Sequence, residues 1–109
     1  MPDIAFINGR FLPWHEATVP IEDRGFQFGD GVYEVIRTYH GRPFELDGHL
    51  NRLDRSAHEL SLIQPYTRAQ WTEWIQQGVR AAGYAEAKVY LQITRGVAAR
   101  DHVFPSNVA

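Results

Sequence analysis

Two segments of the sequence carry residue types suited to binding anions. Arg52 lies in a segment with helical spacing, where its guanidinium would offer a phosphate planar donors that never lose their charge. Arg100 and His102 follow Gly96 in a loop, where an Arg-x-His pair can recognise an anion through one fixed charge and one added donor. A solvated arginine and a polar loop facing water explain the same residues. The spacing alone leaves both alternatives open.

The histidines and the clustered carboxylates give weaker signals. None of the five histidines forms an H-x-H or H-x-x-x-H pair, and the sequence has no cysteine, so we expect no metal site. His49 and His58 share one predicted helix but, at 100° per residue, they face opposite ways. The acidic residues Glu22, Asp23 and Asp30 fall in a glycine-rich turn. There, carboxylates more often cap backbone N–H groups than form an acid–base pair.

The stretch IEDRGFQFGDGVYEVIRTY, residues 21–39, is the one that must position Tyr33. Its first half holds three closely spaced glycines, Gly25, Gly29 and Gly31. Glycines at this density serve turns with positive φ or allow a close approach of the backbone. The following run, Val32–Tyr39, mixes β-branched and aromatic residues and predicts a strand. The turn therefore delivers Tyr33 to the start of that strand.

The other predicted strands surround this stretch. In the first half of the chain we expect four mostly antiparallel strands, at Ile4–Ile7, Arg10–Trp14, Val32–Tyr39 and Phe44–Leu46. Asn8-Gly9 is a strong hairpin signal, and a second hairpin turn is expected over His40–Pro43. A fifth strand, Val89–Thr94, is expected to rejoin the sheet.

Two helices are predicted between the fourth and fifth strands. Asp47 is expected to cap the first, which runs to about Leu60 with leucines and an alanine on one stripe. Thr67–Gln70 has the spacing of a capping box for the second, which Gly83 ends. The order ββββααβ predicts an α+β fold in which an antiparallel-rich sheet is covered on one face by two helices.

Composition limits the function classes. The chain has 109 residues, 44% of them hydrophobic, which suits one globular domain. A net charge of −2 argues against nucleic acid as the main partner. No apolar stretch reaches the ~20 residues of a membrane span, and MPDIAFINGR lacks the pattern of a signal peptide. We therefore expect a cytoplasmic enzyme or a piece of one.

Three segments together resemble one family. EDRGFQFGDGVYE, HLNRLDRSA and YLQITRGVAARDHVFP resemble, in the same order, signatures of class IV (fold type IV) pyridoxal-phosphate aminotransferases, and of D-amino acid aminotransferases in particular. The resemblance implies that Arg52 binds the phosphate of the cofactor, pyridoxal 5′-phosphate, whereas Arg55 falls outside the match. It also implies that Tyr33, Arg100 and His102 bind the substrate carboxylate. In the family, the loop corresponding to residues 100–102 reaches the active site of the partner subunit, so a homodimer is implied.

The same resemblance implies what this chain lacks. Family members are longer, and the lysine that holds the cofactor covalently lies in a C-terminal domain, so residues 1–109 are expected to form the N-terminal domain alone. The only lysine, Lys88, matches no catalytic position, and the isolated chain is expected to be inactive. The implied reaction of the complete enzyme is amino transfer between D-amino acids and 2-oxo acids. The alternatives are a branched-chain aminotransferase, an aminodeoxychorismate lyase of the same fold, and a non-catalytic module that only dimerises or binds a partner.

Overall fold

The computed structural model describes residues 3–104. Met1, Pro2 and residues 105–109, which include the proline that ends the third resembling segment, lie outside the described part. The elements, in chain order, are β1 (Ile4–Ile7), β2 (Arg10–Pro13), a 3-10 turn (Trp14–Glu16), α1 (Arg24–Phe28), β3 (Gly31–Tyr39), β4 (Arg42–Pro43), α2 (Leu46–Glu59), α3 (Arg68–Ala82) and β5 (Lys88–Thr94). The predicted α+β class is confirmed.

The strands form two sheets and not one. β1 and β2 make a separate hairpin, whose two-residue turn places Asn8 and Gly9 at φ values of 49° and 89°. This hairpin packs on α3, since the Phe6 ring lies 5.2 Å from that of Trp74. The second sheet has the order β4-β3-β5, and both of its pairings are antiparallel. The fifth strand thus joins a sheet as predicted, and β3 is the central strand of that sheet.

The fourth strand is shorter than predicted. It consists of Arg42–Pro43 only, and the expected strand Phe44–Leu46 is wrong. Proline cannot donate to a ladder, and Glu45 adopts a left-handed conformation (φ 55°), so the strand ends and α2 starts at Leu46. Glu45, not Asp47, is the N-cap residue of α2, and its side chain makes no capping hydrogen bond.

The glycine-rich turn contains a helix that the sequence did not predict. α1 is a five-residue helix capped by Asp23, whose side chain accepts a hydrogen bond from the Gly25 N–H. Gly29 ends it in the left-handed region, at φ 63°. Gly31 then lets β3 approach β5 closely, because a Cβ at this position would lie 2.6 Å from the carbonyl oxygen of Ile93.

One face of the three-stranded sheet meets the core, and the other is open. α2 and α3 bury their apolar stripes together with the inward residues of β3 and β5; the core comprises Val32, Ile36, Leu50, Leu53, Ala57, Leu62, Trp71, Ile75, Val79, Leu91 and Ile93. The capping box predicted for α3 is confirmed at Thr67 and Gln70. On the opposite face, Tyr33, Val35 and Tyr90 are exposed. In the described part, no helix is long and apolar enough to cross a membrane.

Candidate functional site

Glu34 is an ionisable residue buried beneath α2. In β3, inward and outward residues alternate, so Glu34 points into the core between Val32 and Ile36. Its side chain is 4% exposed and accepts hydrogen bonds from Arg52 Nε at 2.7 Å and Arg52 Nη2 at 2.8 Å. His49 Nδ1 lies 2.7 Å from Glu34 Oε1, the oxygen that also accepts from Arg52 Nη2. Because His49 and Arg52 are three residues apart on α2, both reach it from one helix face.

These contacts fix the charge states of Glu34 and Arg52. The hydrogen bond from Arg52 holds the pKa of Glu34 below its ordinary value, although burial opposes this, and the contact with His49 adds to the lowering. The same carboxylate raises the pKa of Arg52. The guanidinium, which is charged at any physiological pH, is held in one orientation by this two-point contact. Among residues 3–104, its third nitrogen, Nη1, makes no hydrogen bond.

A depression at the surface of α2 adjoins this guanidinium. Its volume is about 340 Å³, and it is lined by Glu45, Gly48, His49, Asn51, Arg52 and Arg55. The donors that it presents are two arginines, one histidine and one amide, which is a set suited to an oxyanion such as a phosphate monoester. Arg55 thus lies beside the same depression as Arg52, although it falls outside the resembling motif.

Tyr33 lies on the opposite face of β3 from Glu34. Its side chain is exposed, and its ring stacks on that of Tyr90 with 5.7 Å between centroids and 19° between planes. Tyr90 belongs to β5, whose pairing with β3 brings Tyr33 opposite Gln92. The phenol of Tyr33 therefore lies on the open face of the sheet, where stacking on the Tyr90 ring supports it.

Arg100 and His102 occupy the loop after β5 and lie next to α1. The His102 ring is 5.3 Å from the Phe28 ring, and the Arg100 guanidinium carbon is 5.6 Å from the same ring. Both residues are exposed. Within residues 3–104, neither makes a hydrogen bond or ring contact with Tyr33 or Arg52 in one copy of the chain. One copy thus brings Arg100 and His102 together beside Phe28 but does not join them by such a contact to the other two predicted site residues.

A second buried ion cluster lies between α1 and the end of β5. Arg24 and Arg95 each donate through Nε to Asp30 Oδ2 at 2.8 Å, and Arg24 is only 2% exposed. Burial alone would raise the pKa of Asp30, but the hydrogen bonds from Arg95 and Arg24 outweigh it and keep that pKa below its ordinary value. The expected capping role is therefore confirmed for Asp23 and wrong for Asp30. In the described part of the chain, no group of three potential metal ligands occurs.

Comparisons with known proteins agree with the three motifs. The family described as amino-transferase class IV matches residues 31–109. The chain is 43% identical over 102 residues to the D-alanine aminotransferase of Listeria monocytogenes, a match that covers 93% of this chain and 35% of that protein. The chain thus spans about a third of the length of the curated relatives that it matches.

Solved structures of similar proteins extend the comparison. A branched-chain amino acid aminotransferase of Escherichia coli superposes with a TM-score of 0.90 over 100% of this chain and 37% of its own; at 22% identity, this likeness shows the fold alone. A branched-chain aminotransferase of the archaeon Thermoproteus uzoniensis, solved with norvaline, is 30% identical with a TM-score of 0.72. That match covers 84% of this chain and 32% of the archaeal one.

Proposed function

The chain belongs to the class IV amino-transferase family, and we propose that it forms the N-terminal domain of a pyridoxal-phosphate-dependent enzyme that transfers amino groups between D-amino acids and 2-oxo acids. Solved structures of a branched-chain aminotransferase and of a 4-amino-4-deoxychorismate lyase share the fold of the chain. Two observations favour the D-amino acid reaction. The curated relative from Listeria monocytogenes is a D-alanine aminotransferase, and the Arg-x-His pair is present at Arg100 and His102.

The observation that carries the proposal is the oriented guanidinium of Arg52. A cofactor phosphate needs a donor that stays charged and does not rotate away. A guanidinium meets the first condition by itself, and Glu34 meets the second through its two hydrogen bonds with Arg52. Nη1, which makes no hydrogen bond within residues 3–104, and the adjoining depression fit a phosphate group, which Arg52 would hold. When bound, pyridoxal phosphate supplies the carbonyl carbon that accepts the amino group from one substrate and passes it to the next.

The substrate carboxylate would be held by Tyr33, Arg100 and His102. Arg100 supplies the fixed charge, whereas the Tyr33 hydroxyl and the His102 ring supply further donors. Because Arg100 and His102 do not contact Tyr33 within one copy, we propose that they serve the site of a partner subunit in a homodimer. Fixing the carboxylate determines which face of Cα is presented to the catalytic base, and this geometry selects the enantiomer. The cytoplasmic location expected from the sequence stays a prediction.

The decisive experiment uses the full-length product of the gene that encodes these residues. We expect amino transfer from D-alanine to 2-oxoglutarate and none from L-leucine. Arg100→Ala should lower kcat/KM for D-alanine by roughly thirty- to thousandfold, because a charge-assisted contact at a shielded site is lost, with little effect on cofactor retention. Arg52→Ala should weaken cofactor retention first. Arg80→Ala, which removes an exposed arginine of α3, is the matched control and should change neither property.

Four results would contradict the proposal or part of it. A gene product that ends at Ala109 would leave only a non-catalytic module. A preference for L-amino acids would indicate the branched-chain reaction, and formation of an aromatic product from aminodeoxychorismate would indicate the lyase. An unchanged kcat/KM in Arg100→Ala would refute the assignment of the carboxylate-binding residues.

A further inference from the structure

The loop that carries Arg100 and His102 is built on α1 of the same chain. Beyond β5, the main chain turns alongside the start of α1: the Arg24 N–H donates to the carbonyl of Gly96 at 2.8 Å, and the Ala98 N–H donates to the carbonyl of Glu22 at 3.4 Å. These bonds bring the loop to the side of α1. Within the described residues, the next two residues, Ala99 and Arg100, make no backbone–backbone hydrogen bond to α1.

The Arg24 side chain makes the next connection. While Nε donates to Asp30, Nη1 donates to the main-chain carbonyl of Asp101 at 2.6 Å. Asp101 stands between Arg100 and His102, so this bond anchors the main chain between the two residues. The guanidinium also lies 4.5 Å from the centre of the Phe28 ring, the ring that both Arg100 and His102 approach.

Charge neutralisation of Asp30 does not account for this arrangement. Arg95 already donates to Asp30 Oδ2 at 2.8 Å, and its remaining nitrogens bind the carbonyls of Leu60 and Ser61 near the end of α2. The two arginines therefore share one carboxylate but bind different segments of the main chain. Among the described residues of the loop, Arg95 approaches only the Phe104 ring, at 4.1 Å, and not the main chain between Arg100 and His102. Of these two arginines, Arg24 is the one that binds the main chain between the proposed carboxylate-binding residues.

We infer that Arg24 is a positioning residue that, with Phe28, sets the Arg100–His102 pair in its binding geometry before a partner subunit or a substrate arrives. The inference rests on the proposed function of that pair. Its physical basis is preorganisation: a loop already held in place loses less conformational entropy when it binds a carboxylate. Arg24 itself is 2% exposed, so its effect on a substrate would be exerted through the loop.

The test compares matched variants of the full-length gene product. Arg24→Lys keeps a charge beside Asp30, but one ammonium cannot reproduce the fork that reaches both Asp30 and the Asp101 carbonyl. We expect KM for D-alanine to rise about tenfold with kcat and cofactor retention nearly unchanged, because the pair binds the carboxylate equally in the ground and transition states. Arg95→Lys disturbs the same carboxylate without releasing Asp101, and its KM should stay near that of the wild type.

Phe28→Leu provides a variant that leaves the ion cluster intact, in case Arg24→Lys fails to fold. It removes the ring that Arg100 and His102 approach, and it should raise KM for D-alanine, as Arg24→Lys does. A second readout uses trypsin: cleavage after Arg100, measured against cleavage after Arg80, should accelerate in Arg24→Lys and not in Arg95→Lys.

The outcomes separate this inference from the proposed function. If Arg100→Ala is harmful but Arg24→Lys and Arg95→Lys have equal KM values, Arg24 is merely structural and the inference is overturned. Normal KM together with normal tryptic cleavage in Phe28→Leu would overturn the role of that ring. If Arg100→Ala is silent, the proposed function fails first, and the tryptic comparison then shows only whether Arg24 orders the loop.

Discussion

Replacing Asp30 by asparagine is expected to destabilise the 109-residue chain strongly, because it leaves two buried arginines without a counter-charge. The Asp30 side chain is 6% exposed, and those of Arg24 and Arg95 are 3% and 11% exposed. Removing one member of a buried ion group costs on the order of 3–5 kcal/mol, and the asparagine oxygen can still accept hydrogen bonds. We therefore expect the free energy of unfolding to fall by about 3 kcal/mol.

Asp54→Asn is the matched control in the same chain. Asp54 also binds an arginine, with Oδ2 lying 3.0 Å from Arg68 Nη2, but both side chains are about half exposed. An exposed ion pair contributes ~0.2–1 kcal/mol, so the free energy of unfolding of Asp54→Asn should lie close to that of the wild type. Urea denaturation, monitored by circular dichroism, measures the free energy of unfolding of both variants. Equal losses in the two variants would refute the claim that burial makes the Asp30 cluster costly to break.

The difference in unfolding free energy between the wild type and Asp30→Asn should depend on pH in a definite direction. The pKa of Asp30 is lowered in the folded chain, so the unfolded state takes up a proton first as the pH falls. The stabilisation by ionised Asp30 is fully present above the pKa of about 3.9 that the residue has in the unfolded chain. It is lost as the pH falls through the lower pKa of the folded chain. The stability gap between wild type and Asp30→Asn should thus be constant near neutrality and shrink below about pH 4. A gap that widened in acid would contradict the direction assigned to this pKa.

Three further predictions concern the isolated chain. Borohydride treatment with pyridoxal phosphate should give no stoichiometric label on Lys88, an exposed residue at the start of β5, and mass spectrometry detects the label. Gly31→Ala should destabilise the chain by about 1–3 kcal/mol, because its Cβ would meet the backbone of β5. Gly48→Ala, which lies in α2 with room around it, should instead stabilise the chain by about 0.5–1 kcal/mol. Thermal unfolding measures the stability of both variants. The chain should self-associate through the open sheet face around Tyr33 and Tyr90, and a single monomeric species by sedimentation at all concentrations would contradict this.

Local sequence signals predicted the elements whose determinants lie within a few residues. Asn8-Gly9 specifies a two-residue hairpin, and the Thr67–Gln70 capping box specifies where α3 starts, since each acts through its own backbone. α1 was missed because five residues are too few to show a helical period. The division into two sheets was missed because strand pairing depends on contacts between distant residues, which no local pattern encodes.

The candidate site residues were predicted from motifs, whereas the residues that support them were not. Glu34 carried a signal that could have been used: it replaces an apolar residue on the inward side of the alternation Val32, Glu34, Ile36, and a buried acid requires a cationic partner. Arg24 carried no comparable signal. Its partners, Asp30 and the Asp101 carbonyl, are brought to it only when the last strand and the following loop have folded back.

The central position of β3 affects how the chain can fold during synthesis. β3 pairs along most of its length with β5, but both long helices lie between these strands in the sequence, so β3 leaves the ribosome well before its partner exists. In that interval its only ladder partner among the described residues is the two-residue β4, and a strand rich in valine, isoleucine and tyrosine keeps an unpaired edge. Closing the sheet also carries the entropic cost of a long-range contact, which slows folding. The order of the strands therefore makes the nascent chain most prone to aggregation just before Lys88–Thr94 emerges.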